Sequence, residues 1–158
     1  MRGSIKTGLS FGLTSGIITT IGLMVGLYEG TGLKLAVIGG ILTIAITDAF
    51  SDAFGIHVSE ESSKRNSRKA IWEATITTFF AKLIIALTFL IPIFLFGLTL
   101  GVKINLLWGL ILLGIFNYFL AKESGKSPSN LIIHNLVLAI IVVLITFFVG
   151  KAIAFYLV

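Results

Sequence analysis

The sequence has 158 residues, of which 56% are hydrophobic and 12% are charged, whereas about 25% of the residues in soluble domains are charged. It contains no cysteine, which excludes disulfide frameworks, thiolate zinc sites and thiol nucleophiles. The net charge of +5 does not indicate nucleic-acid binding. The basic residues lie mainly in short segments between apolar runs, where they are typical of a membrane topology signal.

Four long stretches of the chain contain no Asp, Glu, Lys or Arg. Each of them has 18 residues or more, which is enough for a helix to cross a hydrocarbon core about 30 Å thick. The composition therefore predicts an all-α, polytopic membrane protein, with the whole chain, residues 1–158, in a single transmembrane domain. The uncharged stretches are residues 7–28, 83–102, 104–121 and 127–150.

Five transmembrane helices are predicted from these stretches and from the turn signals between them. A Gly-Thr-Gly turn ends the first helix, and Ser127-Pro128 begins the fifth. Pro92 is expected to kink or break the end of the third helix. The polar segment 59–69, SEESSKRNSRK, is expected to connect helices two and three in water. The predicted helices cover about 5–28, 33–58, 70–96, 104–121 and 128–157.

The Lys and Arg residues between the helices predict the orientation. With the N-terminus inside, eight of them lie on the cytoplasmic side and three on the opposite side. The N-terminus is therefore expected in the cytoplasm and the C-terminus outside. The first apolar run is too long for a signal peptide and lacks a small-residue cleavage site, so we expect it to be retained as a helix. Because the N-terminus shows no transit peptide, the expected location is a prokaryotic cell membrane.

Glycines recur at every fourth position of the first helix, at Gly8, Gly12 and Gly16 and again from Gly22 to Gly30. Small residues with this spacing allow another helix to approach closely. Two interpretations remain open. The stripe formed by Gly8, Gly12 and Gly16 either has a function, as a homodimer seam or as part of a moving, substrate-lining helix, or it is a site of tight packing within one bundle.

Two acidic residues lie inside the second predicted helix. Ionisable groups in a membrane span cost roughly 2.5–3.5 kcal/mol on insertion scales, so each is expected to have a partner or a function. Asp48 and Asp52 are four residues apart and share one face of the helix, with Ser51 beside them. Carboxylates and hydroxyls are hard oxygen ligands, suited to Mn²⁺, Mg²⁺, Ca²⁺ or a proton and less selectively to Fe²⁺.

Lys82 provides an alternative interpretation of the same acids. It is expected at about the depth of Asp48, roughly 18 Å from the cytoplasmic start of helix three. There the two residues would form a structural ion pair and leave Asp52 as the freer acid. Function is not excluded by such a pair, because a lysine that releases its acid when a cation or proton arrives would be an exchange device. His57, near the membrane surface, is either a ligand or proton relay at the cytoplasmic mouth or simply a hydrated side chain.

Two stretches resemble motifs of the vacuolar iron transporter family. Residues 16–26, GIITTIGLMVG, resemble the family's first-helix motif, and residues 48–59, DAFSDAFGIHVS, are similar to its second-helix motif. The resemblance implies five helices and a homodimer that exchanges Fe²⁺ or Mn²⁺ for protons along a path formed largely by helices one and two. Asp48, Ser51 and Gly55 match the second-helix motif directly.

The sequence departs from the family at positions important for metal binding. Ser15 stands in place of the first-helix aspartate, Asp52 in place of the second-helix methionine, and Ile56 in place of the following glutamate or asparagine. Lys82 is not expected in the family, and the connector 59–69 is too short for the cytoplasmic metal-binding domain of its plant and protist members. The number of carboxylates is kept while the soft sulfur is lost, so a metal site that survives is expected to favour Mn²⁺ or another hard cation. The alternatives are a proton site or a protein that has lost transport.

The leading hypothesis is a homodimeric divalent metal transporter in the lipid bilayer, coupled to protons, with Mn²⁺ or Fe²⁺ as substrate and no permanently bound cofactor. Its metal ligands would be Asp48 and Asp52. The rival hypothesis is a non-transporting structural or assembly protein, in which the intramembrane acids and Lys82 form a buried ion pair. An enzyme is not expected, because no nucleophile is accompanied by a base. The auxiliary positions on the transport path would be Ser15, Thr19, Ser51 and His57.

Overall fold

The computed structural model describes residues 3–63, 67–125 and 127–157. These residues form α-helices and no β-strand. Because α3 and α4 follow each other as one segment, Arg68–Phe96, five segments are long and apolar enough to cross a membrane. The helices are α1 (Gly3–Thr31), α2 (Lys34–Ser62), α3 (Arg68–Thr88), α4 (Leu90–Phe96), α5 (Leu98–Glu123) and α6 (Pro128–Leu157).

Two connections differ from the sequence prediction. The predicted connector 59–69 is partly helical, because α2 continues to Ser62 and α3 begins at Arg68, while residues 64–66 lie outside the described part of the chain. Helix α5 begins six residues before the predicted start at 104. Gly97, with a φ of 76°, turns the chain within one residue, a conformation that glycine adopts without steric cost.

The predicted break near Pro92 is present between α3 and α4. Pro92 has no N–H to donate to the carbonyl of Thr88, four residues earlier, and its ring crowds that carbonyl. The side chain of Asn105 on α5 stabilises the break, since its Nδ2 donates to the Phe89 carbonyl oxygen at 2.7 Å. Asn105 is fully buried, so the break is held from within the bundle.

Helix α1 lies at the centre of the bundle and packs against α2, α3, α5 and α6. Helix α6 is peripheral, with only Ala139 and Gly150 buried. We call the end of the bundle at which α1 begins the N-terminal end. The ends of α2 and α5 and the beginnings of α3 and α6 also lie there, because each of the five long segments runs opposite to the one before it, with α3 and α4 counted as one segment.

The glycine stripe of α1 packs within the chain. A Cβ at Gly12 would lie 2.8 Å from the Thr78 carbonyl oxygen, and one at Gly16 would lie 2.7 Å from Ile85 Cγ2. Gly8 faces α3 in the same way. Because α3 of the same chain covers Gly8, Gly12 and Gly16, the structure supports the interpretation of this stripe as tight packing within one bundle.

The second half of α1 makes an equally close approach to α6. A Cβ at Gly150 would lie 2.6 Å from the Gly26 carbonyl oxygen and 3.0 Å from the Gly30 amide nitrogen. An ion pair between Lys151 and Glu29, at 2.9 Å, joins the same two helices. The glycines of α1 therefore allow close packing against two helices, α3 near the N-terminal end and α6 near the other end.

Gly12→Ala is expected to lower the free energy of unfolding by about 1–3 kcal/mol, because the added methyl group overpacks the contact with α3. Thermal unfolding of the purified protein in detergent, followed by circular dichroism, measures the change. Gly114→Ala is the matched control, since a Cβ at Gly114 would meet no atom within 4 Å. There the higher helix propensity of alanine should stabilise by roughly 0.5–1 kcal/mol. Equal effects of the two substitutions would contradict the close packing of α1 on α3.

Candidate cation site

Four polar side chains from three helices meet midway along the bundle. They are Ser15 on α1, Asp48 and Asp52 on α2, and Lys82 on α3, and we call them the ionic cluster. Each lies between 10 and 14 residues from the end of its helix at the N-terminal end of the bundle. At 1.5 Å per residue, this places the cluster roughly 15–21 Å from that end.

Lys82 lies at the centre of the ionic cluster, and its side chain is only 2% exposed. Its Nζ lies 2.6 Å from Asp48 Oδ2 and also forms an ion pair with Asp52 Oδ2. It donates a hydrogen bond to Ser15 Oγ at 2.9 Å. Ser15 Oγ in turn donates to Asp52 Oδ2 at 2.8 Å. Three oxygen-bearing side chains therefore converge on a single cationic nitrogen.

The backbone explains why these side chains can meet. Asp48 and Asp52 are one helical turn apart, so α2 presents both to the same neighbour. Gly16 leaves space for the aliphatic part of the lysine, because a Cβ there would lie 3.0 Å from Lys82 Cγ. The importance of Gly16 for Lys82 was not visible in the sequence, where it belonged only to a stripe of small residues.

The ion pair between Lys82 and Asp48 lies where the sequence suggested, but the expectation that Asp52 is left freer is wrong. Lys82 Nζ contacts both carboxylates, because it lies between two acids on one face of α2. The acids are 23% and 20% exposed at Asp48 and Asp52, respectively, in contrast to the enclosed lysine. With all three groups ionised, the cluster carries a formal charge of −1.

The remaining predicted auxiliary residues lie apart from the ionic cluster. Thr19 is one turn beyond Ser15, and its hydroxyl contacts the Gly16 carbonyl oxygen at 3.5 Å. Ser51 is exposed on α2. His57 lies nearer the N-terminal end, where its Nδ1 is 2.9 Å from Thr75 Oγ1. Of the four auxiliary positions, the structure therefore brings Ser15 alone into the cluster.

The donor set is too small to enclose a metal ion by itself. Within residues 3–63, 67–125 and 127–157, no group of three or more His, Cys, Asp or Glu side chains could hold a metal ion. The ionic cluster offers two carboxylates and a hydroxyl, whereas Ca²⁺ takes six to eight oxygen ligands and Mg²⁺ six. A divalent ion bound there would need further oxygens from water, the backbone or another chain.

Comparison of the sequence and the structure with protein-family models, curated proteins and solved structures finds no match in any of the three. The resemblance to the vacuolar iron transporter family thus depends on the two motif stretches in α1 and α2. Three of the positions compared with the family, Ser15, Asp48 and Asp52, lie in the ionic cluster.

Lys82→Met is expected to lower the free energy of unfolding by about 3–5 kcal/mol, because it leaves two adjacent carboxylates without their cation. Thermal and denaturant unfolding in detergent measure the loss. Lys103→Met is the control, since Lys103 is exposed on α5. The double substitution Asp48→Asn with Lys82→Met should recover much of the lost stability, since the one remaining acid keeps its hydrogen bond from Ser15. A Lys82→Met variant as stable as the Lys103→Met control would contradict a structural role for the ion pair.

Proposed function

We propose that this protein is a transporter of divalent metal cations, with the ionic cluster as its binding site. The observation that carries the proposal is the convergence of two carboxylates and a hydroxyl on one cation, midway along a bundle whose helices are long and apolar enough to cross a membrane. Acids at such a depth are costly and are typical of ion pathways. No step of this activity requires bond-breaking chemistry, so the proposal is for a transporter and not an enzyme.

In this proposal, the metal cation binds at the place that Lys82 Nζ occupies in the structure. The transported ion would displace the ammonium and take over Asp48 Oδ2, Asp52 Oδ2 and Ser15 Oγ, with water completing its coordination. These hard oxygen ligands favour Mn²⁺ and accept Fe²⁺ less selectively. Met24 does not add a thioether ligand to the ionic cluster. Its Sδ accepts a hydrogen bond from Asn105 of α5 and lies on a different side of α1 from Ser15. Carboxylates that bind a metal ion also bind protons, which supports coupling of the transport to protons.

The proposed setting is a prokaryotic cell membrane, with the N-terminal end of the bundle in the cytoplasm and the C-terminus outside. The distribution of Lys and Arg supports this orientation. The ion pair between Lys151 and Glu29 would then lie near the outer surface, where two charged groups are inexpensive to accommodate.

A homodimer remains part of the proposal, with its seam along α2 in place of the glycine stripe of α1. Small residues recur there at intervals of four, and Cβ atoms at Gly39 and Gly55 would meet no atom within 4 Å. Because the partly exposed acids of the ionic cluster lie beside this stripe, a second copy packed there would bring further oxygens near them. The stripe consists of Gly39, Thr43, Thr47, Ser51 and Gly55.

Asp52→Asn is expected to abolish Mn²⁺ uptake into proteoliposomes and the increase in melting temperature that Mn²⁺ produces. The amide keeps the shape of the side chain but removes one of the two negative charges that attract the cation. Lys82 retains Asp48 as a partner, so the variant should fold. Glu61→Gln, an exposed acid on the same helix, is the control and should transport normally. If Asp52→Asn leaves both measurements unchanged, the ionic cluster is not the binding site.

Thr47→Cys is expected to yield a disulfide-linked dimer under mild oxidation in membranes, because Thr47 is exposed at the centre of the proposed α2 seam. The chain has no other cysteine, so any covalent dimer on a non-reducing gel reports this position. Ile145→Cys on the exposed face of α6 is the control and should remain monomeric. Equal cross-linking at both positions would contradict a seam along α2.

The burial of Lys82 also favours a second candidate, a non-transporting membrane protein in which the ionic cluster only stabilises the bundle. Both acids are already paired with an enclosed ammonium, and this arrangement is complete without a metal ion. On this interpretation Mn²⁺ neither raises the melting temperature of the wild-type protein nor enters proteoliposomes. The Asp48→Asn, Lys82→Met variant would then differ from the wild type in stability alone.

A further inference from the structure

A cavity of about 620 Å³ lies between α1, α5 and α6. It extends along α1 from Lys6 to Ile18, a length of about 18 Å at 1.5 Å per residue. Its outer part lies beside the turn between α5 and α6, and its inner part reaches the middle of the bundle. We call it the N-terminal cavity.

The N-terminal cavity is lined by both polar and apolar side chains. Of its 13 lining residues, eight carry a hydroxyl, amide or ammonium group. Ser10 and Thr14 contribute hydroxyls from α1, and the amides of Asn117 and Asn135 come from α5 and α6. The two asparagines are joined by a hydrogen bond of 2.6 Å from Asn135 Nδ2 to Asn117 Oδ1, which fixes them at the wall.

Ser15, a member of the ionic cluster, lies at the inner end of the N-terminal cavity. Ser15 lines the cavity, donates to Asp52 Oδ2 and accepts from Lys82 Nζ. A molecule in the cavity would therefore be separated from the acid–lysine contact by a single hydroxyl group. The cavity is far larger than the roughly 30 Å³ that one water molecule occupies in the liquid.

Helices α1, α5 and α6 pack closely between the N-terminal cavity and the opposite end of the bundle. A smaller cavity of about 330 Å³ enters there and reaches Val25. Between the two cavities, Ile21 packs against Gly109, and a Cβ at Gly22 would lie 2.7 Å from Val142 Cγ1. This apolar contact separates the two cavities by the length of α1 from residue 18 to residue 25, about 10 Å.

We infer that the N-terminal cavity is a water-filled vestibule through which cations reach the Ser15 side of the ionic cluster from the N-terminal end of the bundle. The passage of cations through the vestibule rests on the proposed transport function. The presence of water in the vestibule is independent of that function. The contact of Ile21 with Gly109 lies between this cavity and the smaller one at the opposite end of the bundle. A cation that enters meets Ser15 first and the two carboxylates behind it.

Single cysteines test whether water fills the vestibule. Thr14→Cys and Leu138→Cys place a thiol on its wall, and Ile140→Cys, half a turn away on α6 and 48% exposed, is the matched control. The probe is a membrane-impermeant, positively charged methanethiosulfonate reagent applied to proteoliposomes that hold the protein in both orientations. The wall positions should react at least about tenfold faster than the control, because the reactive thiolate forms in contact with water.

The same variants test whether cations use the vestibule. Modification of Thr14→Cys adds a bulky positive charge and should block Mn²⁺ uptake, whereas modified Ile140→Cys should transport like the unmodified protein. Equal labelling rates at the wall and control positions would overturn the hydrated vestibule. Rapid labelling without loss of uptake would overturn its role as the route of access. If the unmodified protein takes up no Mn²⁺, the proposed function fails and the route fails with it, while the labelling rates still decide whether the cavity holds water.

Discussion

The Lys82 ammonium is enclosed at the meeting point of three helices, and an unpaired charge in such a place would be far more costly than any single packing contact. It must therefore be neutralised from neighbouring elements. Asp48 and Asp52 supply the negative charge from α2, and Ser15 supplies a hydroxyl from α1. This requirement orients α1, α2 and α3 relative to one another, because all three must present their polar residue at the same depth and to the same point.

Glycine makes the arrangement sterically possible. With side chains at positions 12 and 16, α1 could not approach α3 closely enough for Ser15 to reach Lys82. The glycines in the second half of α1 bring α6 equally close. The central helix thus has one closely packed neighbour near each of its ends, and its polar residues reach both the ionic cluster and the N-terminal cavity.

The ionic cluster combines two properties that are usually considered separately. As a structural element, it satisfies a buried lysine and stabilises the contact between α2 and α3. As a chemical site, it is a set of oxygens that already surrounds a cation, with a formal charge of −1 when all of its groups are ionised. The first property requires that the lysine remains, whereas the second requires that it can leave. The partly exposed carboxylates and the adjoining cavity are the features on which the proposed exchange depends.

The amino-acid sequence by itself determined the class of helix bundle, the number of apolar segments and the break at Pro92, because these depend on local hydrophobicity and backbone chemistry. It also identified Asp48, Asp52 and Lys82, since charges are scarce in apolar stretches. Only the tertiary structure decided that Lys82 contacts both acids, that Ser15 joins them while His57 does not, and that the stripe from Gly8 to Gly16 faces α3. These outcomes depend on the rotation of each helix about its own axis, and that rotation is fixed by the simultaneous packing of several helices.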